Sequence, residues 1–144
     1  MKLGKTLSMV AAVIIAAVPA SSAMANQYED QIMYQLRNHQ NQLRGYRMDD
    51  YEIGTLRPGE RHTLNASLNR GDEIVITGAC DVDCRDIDLI IYDDRGRELD
   101  RDTLVDDEPV LNFIAPYSGN FDIEVVMYDC SASYCYFGVA LFSD

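Results

Sequence analysis

Lysine is confined to positions 2 and 5, histidine to positions 39 and 62, and no apolar run beyond position 18 is long enough to cross a bilayer. Each scarcity removes a class of function. The chain sets 24 acids against 12 basic residues, a formal net charge of −12, and such a balance repels nucleic acid and anionic lipid. Nucleophilic catalysis needs a base beside a hydroxyl or thiol. His39 falls on a helical stripe and His62 at a strand entrance, neither in a motif such as a nucleophile elbow. No catalytic residue is assigned on these grounds. No internal repeat or low-complexity tract is visible.

What is present begins with MKLGKTLSMVAAVIIAAVPASSAMANQ. Two early lysines, an apolar run from Leu7 to Val18 and small residues ending in Ala23-Met24-Ala25 form the pattern of a cleaved secretory leader over residues 1–25. The apolar run is too short to span comfortably, and no cysteine follows the cut to carry a lipid. Removal of the leader leaves 119 of the 144 residues, one ordinary domain. Both lysines leave with it, so ten arginines then face 24 acids, a formal charge of −14. That charge points to cations, basic partners or solubility, in a periplasmic or extracellular setting.

Export also decides the chemistry of Cys80, Cys84, Cys130 and Cys135, because an oxidising compartment turns an even count at close spacing into disulfides. Four cysteines allow three pairings. Local bridges, Cys80 with Cys84 and Cys130 with Cys135, are favoured; cross-pairing would close a much longer loop. Zinc would want reduced thiolates, and redox motifs usually separate their cysteines by two residues at a helix start, whereas three intervene here in an acidic turn that raises a thiol's pKa.

Along residues 26–48, Tyr28, Ile32, Leu36, His39, Leu43 and Tyr46 recur at spacings of three and four, a narrow helical stripe. Alone in water such a helix is marginal, so it is expected to dock on the domain, with His39 as a packing residue. Residues 49–60 read as linker and turn. From residue 61 to 144 the period changes to two: HTLNASL, EIVITGAC, DIDLIIY, GRELDRD, PVLNFIA, NFDIEVVMYD and YCYFGVALF read as seven short strands separated by Gly, Asp and Asn, with an eighth near Ile53 to Leu56. The expected fold is all-β: an antiparallel β-sandwich of jelly-roll or Greek-key type behind a short N-terminal α-helix.

The stretches GTLRPGE, LNRGDEIVI, DIDLIIYDDRGREL, FIAPYSGNFDIEVV and YFGVAL come in the order and near the spacing of the bacterial pre-peptidase C-terminal domain. The chain resembles that family over about residues 53–142. Asp86-Ile87-Asp88-Leu89 with Tyr92-Asp93 and Gly96, and Ala115-Pro116-Tyr117-Ser118-Gly119, carry most of the likeness. The resemblance implies a compact exported jelly roll, similar to bacterial collagen-binding domains and usually an accessory module of secreted proteases and other hydrolases. The close cysteine pairs depart from the family pattern, and no peptidase domain accompanies it in these 144 residues.

Up-and-down strands bring residues 81–86, 103–108 and 129–134 to one end of the sandwich. That end collects Asp81, Asp83, Asp86, Asp106, Asp107, Glu108 and Asp129. Clustered carboxylates repel unless a cation lies between them, so these are candidate calcium ligands, with affinity of the order of 10⁻⁴ to 10⁻³ M for an extracellular module. DVDCRD does not follow the spacing of an EF-hand loop. The other reading is a solvated acidic loop partly neutralised by Arg85 and Arg101. Tyr117 and Tyr134 are the candidate binding-surface tyrosines, offering area and a hydroxyl to protein or sugar, while Tyr92 and Tyr136 sit within strands as core-edge residues.

The functional expectation is a non-enzymatic, exported sandwich that contacts an extracytoplasmic protein or polysaccharide. The alternative is a calcium-stabilised structural or envelope module. Hydrolysis stands third, since paired aspartates need a cleft holding several sugars, which a small sandwich seldom supplies.

Overall fold

The computed structural model describes residues 20–144. One helix, α1 (Ala20–Gln42), is followed by eight strands: β1 (Arg47–Leu56), β2 (Arg61–Leu68), β3 (Glu73–Cys80), β4 (Cys84–Asp93), β5 (Glu98–Asp102), β6 (Val110–Ile114), β7 (Gly119–Cys130) and β8 (Cys135–Ser143). They form two four-stranded sheets, β1-β8-β3-β6 and β2-β7-β4-β5. Every pairing is antiparallel. This interleaved order, in which the chain crosses from sheet to sheet, is the double Greek key of a jelly roll.

Period-two patterning places the core. In β7, Phe121, Ile123, Val125 and Met127 are buried while Asp122 and Glu124 alternate with them. Facing them across the sandwich are Ile74, Ile76, Leu111, Phe113, Phe137 and Val139. β3 is buried on both sides, because Val75 and Ala79 on its other face, with Ala140 and Phe142 of β8, meet Ile32 and Leu36 of α1 in a second cluster. The helix thus covers the outer face of one sheet. Polar bonds complete the seat: the His39 Nδ1 lies 2.9 Å from the Thr77 hydroxyl, and the Gln35 side-chain amide donates to the Cys80 carbonyl. Burial lowers the His39 pKa, with Glu108 acting weakly in the other direction.

Two boundaries differ from those read in the sequence. α1 starts at Ala20, inside the expected leader, and ends at Gln42, short of residue 48; the stretch of that expected leader up to residue 19 lies outside the described residues. The segment read as a linker over 49–60 is largely strand β1. It pairs along β8 from Arg47↔Ser143 to Leu56↔Cys135. Only Leu56 of β1 is buried, so an apolar alternation was not available to mark it; charged, exposed edge strands are the rule in such sheets.

Candidate functional site

The site is built at the end of the sandwich where both disulfides lie. β3 ends at Cys80 and β4 begins at Cys84, bridged by one disulfide; β7 ends at Cys130 and β8 begins at Cys135, bridged by the other. The local pairing is therefore the one found. Cys84 stands opposite Cys130 in the β4–β7 register, so the two clamped loops are neighbours. Ser131 donates from both its amide and its hydroxyl to the Asp83 carbonyl, at 2.8 and 2.9 Å.

Asp81 fastens this junction. It is 3% exposed. One carboxylate oxygen accepts from the Asp83 amide at 3.1 Å and the other from the Tyr136 amide at 2.7 Å, while its own amide donates to the Tyr136 carbonyl. Its charge thus holds backbone donors of β8 and its own loop.

The other expected calcium ligands lie on β4, on β7 and in the loops before β4 and after β5. Asp86 is buried in a bulge of β4, one of its oxygens without a hydrogen-bond partner, and burial pushes its pKa up, with Asp106 adding repulsion. Asp106 accepts the Glu108 amide, and its carbonyl receives the Ile87 amide. Asp107, Glu108 and Asp129 are exposed. Among the described residues, no group of three or more acids, histidines or cysteines is placed to hold a metal ion. Of the seven acids expected to converge on a cation, Asp81, Asp83, Asp86, Asp106, Asp107, Glu108 and Asp129, Asp81 is taken up by amides, while Asp86 lies within electrostatic reach of Asp106 and Asp129. The strongly perturbed acid is Asp88, outside that set; burial, then Asp86, Asp102 and Asp106, push it up to about 6.

Between these loops and the first turns of α1 opens a cleft of about 320 Å³. Tyr28, Tyr134, Tyr136, Asp81, Asp83 and Met24 line it. Tyr28 and Tyr136 stack with ring centroids 5.1 Å apart, and Tyr134 meets Tyr136 edge-on at 5.9 Å. Tyr134 is 51% exposed. Three apolar side chains project from loops at the same end: Val82, Leu104 and Val105, at 73%, 68% and 86% exposure.

The structure separates the two tyrosines singled out in the sequence. Tyr134 is at this tip, whereas Tyr117 precedes the far end of β7, a strand of 12 residues and hence about 40 Å long. Tyr117 is half-buried against Phe121, with centroids 5.3 Å apart, and lines a surface pocket with Asp94, Arg95 and Arg97 at that end. Tyr28 and Tyr136 were missed as site residues, since their contact joins positions far apart in sequence and only the docking of α1 creates it. The histidines are engaged elsewhere: His62 Nε2 lies 2.7 Å from a Glu52 oxygen, its ring against Phe137.

No family model and no curated protein matches the sequence. Among solved structures, the pre-peptidase C-terminal domain of collagenase from Bacillus anthracis aligns with a TM-score of 0.53 at 13% identity, over 65% of this chain and 89% of that one. The chain is similar in fold to a pre-peptidase C-terminal domain. Aeromonas hydrophila PliG, a periplasmic lysozyme inhibitor of g-type lysozyme, aligns with a TM-score of 0.50 at 12% identity, over 64% of this chain and 82% of PliG. At such identities the likeness is one of fold, and the family resemblance read from the sequence holds at that level.

Proposed function

We propose that the chain is a non-catalytic, exported binding module that engages an extracytoplasmic protein with its disulfide-clamped tip. The observation that carries this reading is Tyr134, half-exposed at the mouth of the cleft on a loop closed by Cys130 and Cys135. A loop held in shape before contact loses little conformational entropy on binding, and tyrosine supplies contact area with few torsions. Two disulfides support export. The neighbouring Val82, Leu104 and Val105 favour a protein surface over a polysaccharide, because exposed aliphatic groups gain from a dry interface. Processing after Ala25 would remove Met24 from the cleft wall and leave Ile32, Leu36 and His39 to seat the helix, so the mature chain presents a more open cleft.

PliG is an inhibitor of g-type lysozyme, and the shared fold makes a lysozyme the first partner to test. Immobilised g-type and other lysozymes, and a panel of insoluble polysaccharides, are exposed to the purified chain. Retention on a protein that is lost with Tyr134→Ala supports the proposal. Retention on polysaccharide alone, or protein retention indifferent to Tyr134, overturns it.

A further inference from the structure

The tip cleft has a consistent chemistry. Three tyrosine rings and two aspartates line it, and among the described residues no lysine, arginine or histidine does. Asp81 is saturated by two backbone donors, which leaves the half-buried Asp83 as the carboxylate open to a ligand. Burial raises the Tyr136 hydroxyl pKa, and Tyr134, Glu29 and Asp81 each push it further in the same direction, so that ring stays neutral beside the lining carboxylates. Aromatic faces and carboxylates both present negative potential, and together they recognise cations: a guanidinium or ammonium gains from the ring quadrupole and from the Asp83 carboxylate at once.

Resting on the reading of the tip as the partner-binding end, we propose that this cleft receives a cationic side chain, a guanidinium or ammonium group, presented by a basic protein. The chain's own formal charge of −12 adds long-range attraction for such a partner. A neutral sugar would also stack on tyrosine, but it draws nothing from the charge of Asp83, and its binding would be indifferent to salt.

The test titrates the disulfide-bonded chain with a tri-arginine peptide and with its tri-citrulline counterpart, which keeps the shape and removes the charge, following the amide resonances of Tyr134 and Tyr136. Tri-arginine is expected to shift both saturably, with citrulline weaker by about tenfold or more. Raising salt from about 50 to about 300 mM weakens tri-arginine by about threefold or more. Asp83→Asn and the exposed Tyr134→Ala each weaken it by about fivefold, while Asp94→Asn in the β4–β5 turn at the other end changes it less than about twofold. Equal binding of citrulline, equal effects of Asp94→Asn and Asp83→Asn, or salt-independent binding of chitotetraose to the same residues overturns the inference. Capture of a protein partner by the tip without any response to tri-arginine also overturns it, while leaving the tip's binding role intact.

Discussion

Gly138 of β8 lies directly beneath Ile32 of α1: a Cβ at Gly138 would come within 2.3 Å of the Ile32 Cγ2. The helix seat therefore depends on the one residue without a side chain at this crossing. Gly138→Ala is expected to cost about 1–3 kcal/mol by overpacking and to lift α1 from the sheet. Hydrogen exchange would show it as faster exchange in α1 with β2 and β7 unaffected; unchanged protection of α1 would contradict the assignment.

The second prediction concerns the clamps. Each disulfide closes a short loop, with sequence separations of 4 and 5, and chain entropy alone makes each worth about 2 kcal/mol. Replacing Cys130 and Cys135 together by serine is expected to lower the melting temperature by several degrees while the sandwich persists. Peptide mapping of unreduced protein recovers the two local bridges; a fragment linking Cys80 or Cys84 to Cys130 or Cys135 would contradict the fold at the tip.

Stability should respond to Asp88. Its folded pKa is raised to about 6 from 3.8, first by burial and then by Asp86, Asp102 and Asp106. A group raised on folding contributes stability that is full below the unfolded value and is lost as pH rises through the folded one. Melting temperature should therefore fall between about pH 4 and pH 7 from this source, and Asp86, also raised, adds in the same direction. Asp88→Asn is expected to stabilise the chain near pH 7 by on the order of 1 kcal/mol after solvent screening, and to flatten that fall. Asp93 acts oppositely: burial pushes its carboxyl up, but hydrogen bonds from Arg97 and Arg95 hold it below its usual value, so its contribution is present above the unfolded pKa and vanishes in stronger acid. A profile of Asp88→Asn parallel to that of the parent would refute the assignment.

Calcium should do little. A site with the 10⁻⁴ to 10⁻³ M affinity of extracellular modules would add about 1–2 kcal/mol at about 5 mM calcium, a readily measured rise in melting temperature. With Asp81 saturated by two backbone amides and no group of three candidate ligands among the described residues, no rise is expected, and a saturable one of that size would establish the ion.

Much of the architecture was legible where strands alternate. Ile123, Val125 and Met127 against Asp122 and Glu124 announce a half-buried strand without help from the rest of the chain. The helical stripe was also readable through Ile32, Leu36 and His39, which do face the sheet. β1 was legible only at its end, as the eighth strand near Ile53 to Leu56, since its Asp49, Asp50 and Glu52 lie exposed at a sheet edge and its pairing with β8 is set by topology. At the tip, spacing revealed the disulfides but not the backbone amides that occupy Asp81. An aspartate that binds a metal and one that binds two amides look alike in sequence, and only the approach of Tyr136 to Asp81 tells them apart. The stack of Tyr28 on Tyr136 joins the first and last elements and has no local signature.

The most direct test of the account is the affinity of the purified, disulfide-bonded chain for a captured extracytoplasmic protein, measured beside its Tyr134→Ala variant with the fold verified by circular dichroism. The account predicts a loss of about tenfold or more, as for an anchoring tyrosine at the centre of an interface. Affinity unchanged in a folded variant would contradict it.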